Sequence, residues 1–327
     1  MEPVYDARGR LLAARGASLD RAGALRLGDH GVRHVYVEAP GLEDVRPHVS
    51  LSLKLQQQVL DWLHDLEELA GSGGRAAPLG PGPSLARAIV EELAGGQRGI
   101  AISDPDVAAS PISRRALHTA TGAAILALGR LGARARDDLV LAALVHDVGL
   151  ARYPADDPRH VEVAMGLMEP PLAWPARTRA AVAQHHERVD GSGFPRGLRG
   201  EAIDPGARLL AVMDTYVDAV HPSRGVGMPP HEAVEYVLAA AGYDLDVEAA
   251  SAFADLVVPY PEGSLVRLAD GRHCVVVRAP QGVHARPVVR EILWRDGRWQ
   301  GLPERTFDLG EPGQRTVLIA GFVEERR

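Results

Sequence analysis

One long stretch of the chain constrains its fold more than any other feature. From Pro111 to about Val258 the sequence is dense in alanine, leucine and valine at helical spacing. Start and stop signals divide this stretch into seven predicted helices, at residues 114–131, 137–147, 160–168, 175–187, 205–220, 230–241 and 246–257. The chain is therefore expected to be mainly α, with an all-helical domain over residues 111–260.

Short β-rich segments flank these helices. Residues 1–48 predict a small α/β domain, with strands at 4–5, 11–12 and 35–37 and a helix at 19–27. Beyond Gly263 the hydrophobic period returns to two, with strands predicted at 265–268, 274–277, 287–293 and 316–319. Residues 261–327 thus predict a small antiparallel domain that resembles a barrel, in which Trp294 and Trp299 pack in the core or in a hairpin.

Residues 49–110 predict a helical connector between the first two domains. An apolar stripe at helical spacing, from Leu55 to Leu69, stops at Gly71. The following segment, 71–84, contains five glycines and three prolines and buries too little apolar surface to order itself. It is expected to be a mobile linker or a surface loop.

Composition excludes several classes of protein. Cys274 is the single cysteine, so the chain has no internal disulfide framework, and a bound metal must be held by nitrogen and oxygen. The net charge of -7 is spread along the chain, which argues against a nucleic-acid polymer as partner. The chain opens without a basic, apolar leader, and its longest apolar run, Leu139–Val145, is far below the ~18 residues of a membrane span. A cytoplasmic protein without a membrane segment is expected.

Histidines are concentrated in the helical stretch. Thirteen are present, and five of them lie at 118, 146, 160, 185 and 186. A lone helical histidine is more often a surface or core residue than a ligand. However, His146 and Asp147 directly follow an apolar helix, where polar groups are costly without a partner. Imidazoles with carboxylates suit Mn, Fe, Ni or Zn, and several helices each giving one or two ligands predict a metal site in a bundle core.

The order of these residues resembles a known family. His118, the His146-Asp147 pair and Asp214 resemble the ligand set of the HD superfamily of metal-dependent phosphohydrolases. The stretch from His185 to Pro195, HHERVDGSGFP, resembles the signature of its HD-GYP branch. The resemblance covers residues 111–258 and implies an HD-type helical bundle.

The resemblance implies hydrolysis of cyclic di-GMP at a centre of two divalent metal ions, Fe or Mn, with Ni or Zn as alternatives. Carried onto this chain, the first ion has the ligands His118, His146, Asp147 and Asp214. The second has His160, His185 and His186, with Asp147 bridging the two. Two cations ~3.5 to 4 Å apart bind phosphodiester oxygens, offset transition-state charge and lower the pKa of a bridging water enough to make hydroxide.

Several positions depart from the family pattern. Leu150 stands where the family has a phosphate-binding lysine, and Arg152 is the candidate substitute. The segment between Pro154 and His160 is short, and Arg114 replaces the glutamate of members with three metals, so no third ion is expected. Phe194 replaces the tyrosine that names the branch, which removes a phenolic donor from the substrate site.

Further residues complete the predicted site. Asp218 shares a helix face with Asp214 and is the candidate to orient the attacking water or to protonate the leaving group, or else an ordinary surface acid. Arg188 and Arg224 are candidate phosphate-binding residues beside Arg152.

Three functions stay open. The first is a cyclic di-GMP phosphodiesterase that yields linear pGpG, with onward cleavage to GMP left undecided. The second is a catalytically degenerate module that serves as a nucleotide sensor or as a docking domain for GGDEF-type signalling proteins; Leu150, the short 154–160 connection and Phe194 favour it. The third is an HD phosphohydrolase acting on another nucleotide, against which the signature loop argues. A homodimer is compatible with each.

Overall fold

The computed structural model describes residues 4–5, 10–14, 16–30, 39–46, 48–75, 77, 79–96, 99–101, 109–169, 173–223, 227–282, 286–295 and 298–323. Its helices are α1 (Arg21–Asp29), α2 (Leu53–Gly71), α3 (Gly82–Ala94), α4 (Pro111–Ala127), α5 (Ala133–Val145), α6 (Arg159–Leu167), α7 (Ala176–Gln184), α8 (Pro205–Val220), α9 (Pro230–Ala240) and α10 (Val247–Leu256). The expectation of a mainly helical protein is confirmed. All seven predicted helices of the central stretch are present, with ends displaced by at most four residues.

Local signals explain where the helices begin. Proline occupies the first turn of α4, α8 and α9, where its missing N–H leaves no bond unmade. The Ser110 hydroxyl accepts a hydrogen bond from the Ser113 N–H at 3.0 Å, and the Asp246 carboxylate caps α10 in the same way. These caps set the angles at which the helices enter the bundle.

The helices share one hydrophobic core. Four alanines of α4, at positions 120, 123, 124 and 127, are fully buried, and such small side chains let the neighbouring helices approach closely. Leu55, Val59 and Leu63 of α2 lie in the same core cluster as these alanines. The connector helices α2 and α3 are thus packed into the helical body.

The Gly/Pro-rich segment joins α2 to α3. Its residue Ala77 is buried, and the Ala77 N–H donates to the Leu167 carbonyl oxygen at 2.8 Å. This contact ties the middle of the segment to the end of α6.

The C-terminal part is an antiparallel sheet, as predicted. Its strands are β3 (Leu265–Leu268), β4 (His273–Arg278), β5 (Val288–Arg295), β6 (Arg298–Asp308) and β7 (Ile319–Phe322), in the order β6-β5-β4-β3-β7. These pairings give an open order, and the barrel-like closure that the sequence suggested is not among the pairs of the described strands. Trp294 and Trp299 pair across the β5–β6 hairpin, with ring centroids 5.2 Å apart.

Near the N-terminus, β1 (Val4–Tyr5) pairs with β2 (Leu11–Ala13). The strand expected at 35–37 lies outside the described residues. Among the helices that are described, none is both long and apolar enough to cross a membrane.

Candidate metal centre

Four helices bring the predicted ligands to one place. His146 and Asp147 directly follow α5, His160 lies in the first turn of α6, and His185 and His186 directly follow α7. Asp214 lies in the middle of α8. All of these are buried except His186, which is half-buried. So many polar groups in an apolar bundle require compensation by one another or by a bound cation.

Asp147 lies between two groups of ligand atoms. Its Oδ1 is 3.8 Å from Nε2 of both His160 and His185. Its Oδ2 is 3.4 Å from Nε2 of His146, which in turn is 3.2 Å from Oδ1 of Asp214. The ligand atoms of Asp147, His160, His185 and His186 all lie within 4.8 Å of one another, as do those of His146, Asp147 and Asp214. The one carboxylate is therefore shared by both groups.

Backbone carbonyls orient the histidine rings. Nδ1 of His146, His160 and His185 lies 2.9, 2.6 and 2.7 Å from the carbonyl oxygens of Ala143, Asp157 and Val182, respectively. A ring that donates through Nδ1 leaves the Nε2 lone pair for a ligand, the arrangement common in metal-binding histidines.

Nε2 of His185 shows whether the residues present fit a metal ion. This atom is buried and has no hydrogen-bond partner among the described residues. Nε2 of His160 and Nε2 of His186 are 2.9 Å apart, so two imidazole nitrogens also converge here. An unpaired buried acceptor is costly, and a cation between these nitrogens and the Asp147 carboxylate would satisfy all of them. The residues present therefore fit a metal ion.

The electrostatics differ between the two groups. Burial opposes charge on His146, but Asp147 and Asp214 outweigh it and raise the pKa of His146 to about 10. Burial lowers the pKa of His185 well below its usual value and that of His186 to about 4. The pKa of Asp147 lies well below its usual range, because His146 and Arg115 overcome the effect of burial. At neutral pH the group with His185 and His186 therefore offers these two imidazoles in the neutral form beside the Asp147 carboxylate, while the group with His146 attracts positive charge.

The signature loop after α7 is fixed by a buried acid. Both carboxylate oxygens of Glu187 accept backbone hydrogen bonds, from Arg196 at 2.8 Å and from Leu198 at 2.9 Å. At Gly193 a Cβ atom would lie 2.3 Å from the His186 carbonyl oxygen, so the loop can close this tightly only over glycine. Phe194 stacks on the His186 ring with centroids 4.6 Å apart. The loop thereby holds His186 against the cluster.

A second close contact lies where the 148–151 turn meets the start of α6, across the short connection between Pro154 and His160. A Cβ atom on Gly149 would lie 2.0 Å from the backbone oxygen of His160. The close approach of the 148–151 turn to α6 brings Nε2 of His160 to 3.8 Å from Oδ1 of Asp147, although the connection before α6 is short.

Arg115 on α4 also belongs to the site, although it was not predicted from the sequence. This side chain is buried, and its Nη2 lies 3.0 Å from Oδ2 of Asp147 and 3.5 Å from Oδ1 of Asp214. Its Nη1 donates to Oδ1 of Asp218 and, at 2.9 Å, to the His221 carbonyl oxygen. The available signal was the three-residue spacing from His118, which places both side chains on one helix face.

The structure does not bring His118 into either group of ligand atoms. It is buried on α4 and its ring stacks on His221, with centroids 5.4 Å apart. Its role as a ligand stays a prediction.

A cavity of about 550 Å³ opens over the cluster. Its lining includes Arg115, Asp147, His186, Arg188, Asp214 and Asp218. Arg152 is not among the lining residues; it is exposed, and its guanidinium lies 5.5 Å from the centre of the Tyr153 ring. Arg224 lies outside the described residues. Of the three expected phosphate-binding arginines, the structure thus places Arg188 at the cavity.

Comparisons with known proteins show what the helical region is similar to. A family model described as an HD domain matches residues 158–248. Over 199 residues the chain is 32% identical to a cyclic di-GMP phosphodiesterase of Pseudomonas aeruginosa, covering 56% of this chain and 47% of that protein. Part of the helical region therefore matches the HD domain family, and the wider region is similar to a cyclic di-GMP phosphodiesterase.

Other relatives match the chain over shorter stretches. A 3'3'-cGAMP-specific phosphodiesterase of Vibrio cholerae is 51% identical over 43 residues, which is 12% of this chain and 10% of that protein. A cyclic di-GMP phosphodiesterase response regulator of Xanthomonas campestris is 61% identical over 33 residues, 10% of this chain and 9% of that one. The chain thus spans less than half the length of these relatives. A solved HDG"Y"P protein from Bdellovibrio bacteriovorus aligns with a TM-score of 0.46 and 17% identity over 61% of this chain and 69% of that one.

Proposed function

We propose that the helical region is an HD-GYP domain and a metal-dependent phosphodiesterase that opens cyclic di-GMP to linear pGpG, with cleavage onward to GMP as a second step to be tested. The position of Asp147 between two groups of ligand atoms, at the floor of an open cavity, carries the proposal. The relatives are named for phosphodiester cleavage of cyclic dinucleotides, which supports the same substrate class here.

The proposed cofactor is a pair of divalent ions, Fe or Mn, with Ni or Zn as alternatives. Asp147, His160, His185 and His186 would hold one ion, and His146, Asp147 and Asp214 the other, with His118 retained as a predicted further ligand. Bound there, the ions would polarise the phosphodiester and activate a water molecule for attack.

The residues of the chain have distinct parts in this proposal. Arg188 is half-buried at the cavity and supplies positive charge for a substrate phosphate, while Phe194 keeps His186 in place from behind. Asp218 faces the cavity with half of its side chain exposed. Burial raises the pKa of Asp218, against the opposing charge of Arg115, so this carboxyl is suited to hold a proton for the leaving oxygen.

The test is turnover of cyclic di-GMP by purified protein supplied with Mn(II) or Fe(II), with products separated by anion exchange. Activity that is lost in His146→Ala and Asp147→Ala supports the proposal. Asp137→Ala is the matched control, because Asp137 lies on α5 but pairs with Arg87 at 3.3 Å, away from the cluster. Full activity in the Asp147→Ala variant would overturn the proposal.

The second candidate function is the degenerate module, a nucleotide sensor or a docking domain for GGDEF-type proteins. Leu150 at the position of the family's lysine and the failure of Arg152 to reach the cavity favour it. Bound metal without turnover, not restored by Leu150→Lys, would select this function. The GGDEF-type partner, the homodimer and the cytoplasmic location stay predictions.

A further inference from the structure

Arg115 touches the oxygens that a second metal ion would need. Nη2 of Arg115 binds Oδ2 of Asp147 and Oδ1 of Asp214, the same two oxygens that lie closest to Nε2 of His146. Arginine keeps its charge at any physiological pH, and this side chain is only 4% exposed. A permanent cation of the chain itself therefore lies against this ligand group.

The guanidinium is held from its other side as well. Nη1 donates to the Asp218 carboxylate and to the His221 carbonyl oxygen. Because Nη1 and Nη2 bind different groups, Arg115 connects the carboxylates of Asp147 and Asp214 to the Asp218 carboxylate on α8. Its place in the site is thus fixed by at least four acceptor groups, two of which belong to the predicted ligands.

A metal and Arg115 compete for the same space. A divalent ion binds carboxylate oxygens at about 2.0 to 2.2 Å, closer than the hydrogen bonds that the guanidinium now makes to them. Two cations at such separations repel strongly in a buried site. The ion could enter the His146–Asp147–Asp214 group only after Arg115 withdraws.

The other group is free of this competition. Oδ1 of Asp147 faces His160 and His185, whereas Arg115 binds Oδ2 of the same carboxylate. The Asp147–His160–His185–His186 group also contains the unpaired Nε2 of His185. The two groups are therefore unequal as metal sites.

We propose that Arg115 is a resident cation of the His146–Asp147–Asp214 group, so that one metal ion is held tightly by Asp147, His160, His185 and His186 and a second binds weakly, on displacement of Arg115. This inference rests on the metal-binding part of the proposed function. It makes the second ion the exchangeable one, and it makes Arg115 the residue that sets its affinity.

The test is the metal stoichiometry of metal-free protein dialysed against increasing Mn(II), with bound ion measured by elemental analysis. Wild type is expected to show one tight site and a second that is at least about tenfold weaker. Arg115→Met is expected to tighten the second site at least about tenfold and leave the first unchanged. Arg87→Met removes the same charge from an exposed side chain that pairs with Asp137, away from the cluster, and is expected to titrate like wild type.

Asp218→Asn provides an independent variant if Arg115→Met does not fold. Loss of the outer carboxylate loosens Arg115, so the second ion should bind more tightly than in wild type, by less than in Arg115→Met. Two equal sites in wild type, or a second site unmoved by Arg115→Met and Asp218→Asn, would overturn the inference. Protein that binds no metal in any variant would instead refute the proposed function together with it, whereas one tight ion without turnover would leave this inference standing and refute the catalytic proposal.

Discussion

At the scale of single residues, the chemistry depends on how two neighbouring acids of α8 differ. Asp214 is buried between His146 and Arg115, which hold its pKa below the usual value against burial and the charge of Asp147. Asp218, one turn later, is half-exposed to the cavity, and burial raises its pKa. Acids whose environments move their pKa in opposite directions can divide ligand and proton-donor roles between them.

Asp218→Asn is expected to lower kcat by about 10² to 10⁴-fold at saturating Mn(II), the usual contribution of a positioned proton donor. Because the donor acts while protonated, wild-type kcat should fall as pH rises through the Asp218 pKa, which lies above its ordinary 3.8. The Asn variant should lose this alkaline limb, and Asp218→Glu should retain it. A pH profile of kcat for the three proteins is the measurement, and an Asn variant with the wild-type profile would exclude the role.

At the scale of elements, two short connections position the histidines. The Glu187 carboxylate anchors the signature loop through two backbone hydrogen bonds, and α6 lies in close contact with the 148–151 turn at Gly149. Neither contact involves an apolar side chain packing against another. Hydrogen bonds to a charged acceptor and close backbone approach therefore set the geometry of the site, on a frame that the helical core supplies.

Glu187→Gln is expected to lower the free energy of unfolding by about 1.5 to 3 kcal/mol, the range for hydrogen bonds to a buried charged group. The amide NH₂ would face a backbone N–H, so at least one of the two bonds is lost. Urea denaturation measures the change. Glu201→Gln, an exposed glutamate at the end of the same loop, should change stability by less than about 0.5 kcal/mol; equal losses in the two variants would show that Glu187 does not anchor the loop.

Gly149→Ala is expected to push α6 away from the turn, because its Cβ would lie 2.0 Å from the His160 oxygen. Displacement of His160 should weaken the tight metal site by about 10 to 100-fold, as loss of ligand orientation does elsewhere. Gly132→Ala is the matched control, since nothing lies within 4 Å of a Cβ at that position. Equilibrium dialysis against Mn(II) measures the affinity of the tight site in both variants. An unchanged affinity in Gly149→Ala would show that the position of α6 does not determine metal binding.

At the scale of the whole molecule, a few contacts join segments that are far apart in the sequence. Ile100 exchanges backbone hydrogen bonds with the chain just after α10, where the Val258 N–H donates to its oxygen at 2.8 Å. Arg290 of β5 forms an ion pair with Asp44 at 2.6 Å. The connector helices α2 and α3 belong to the core of the helical body.

Much of this arrangement could be predicted from the sequence, and the exceptions have physical reasons. Helix ends followed from local proline and capping signals, as at Pro205 and Asp246. Strand β6 was not predicted, because Gly301 and Pro303 interrupt the alternation of apolar and polar residues. Its pairing with β5 is what makes this segment a strand. Arg115 was missed for a similar reason: two of its acceptors, Asp214 and Asp218, lie about a hundred residues away on α8, and the spacing from His118 does not by itself encode those contacts.

Metal removal tests how far the site contributes to the stability of the molecule. The ligands follow or lie in α5, α6, α7 and α8, so an ion bound only by the folded state joins four helices. At a hundredfold excess over its dissociation constant such an ion adds about 2.7 kcal/mol, which corresponds to about 5 to 10 °C in Tm for a helical body of this size.

Chelation should therefore lower the unfolding midpoint of the helices, followed by far-ultraviolet circular dichroism, by about this amount. Fluorescence separates the sheet from the helices, because Trp62 and Trp174 are buried in the helical core while Trp294 and Trp299 lie on the β5–β6 hairpin. When Trp294 and Trp299 are replaced by phenylalanine, the fluorescence reports on Trp62 and Trp174 alone. Its unfolding midpoint should then change on metal removal by the same amount as the midpoint from circular dichroism. In Asp147→Ala the shift should vanish, and a shift of the same size there would place the stabilising ion outside this centre.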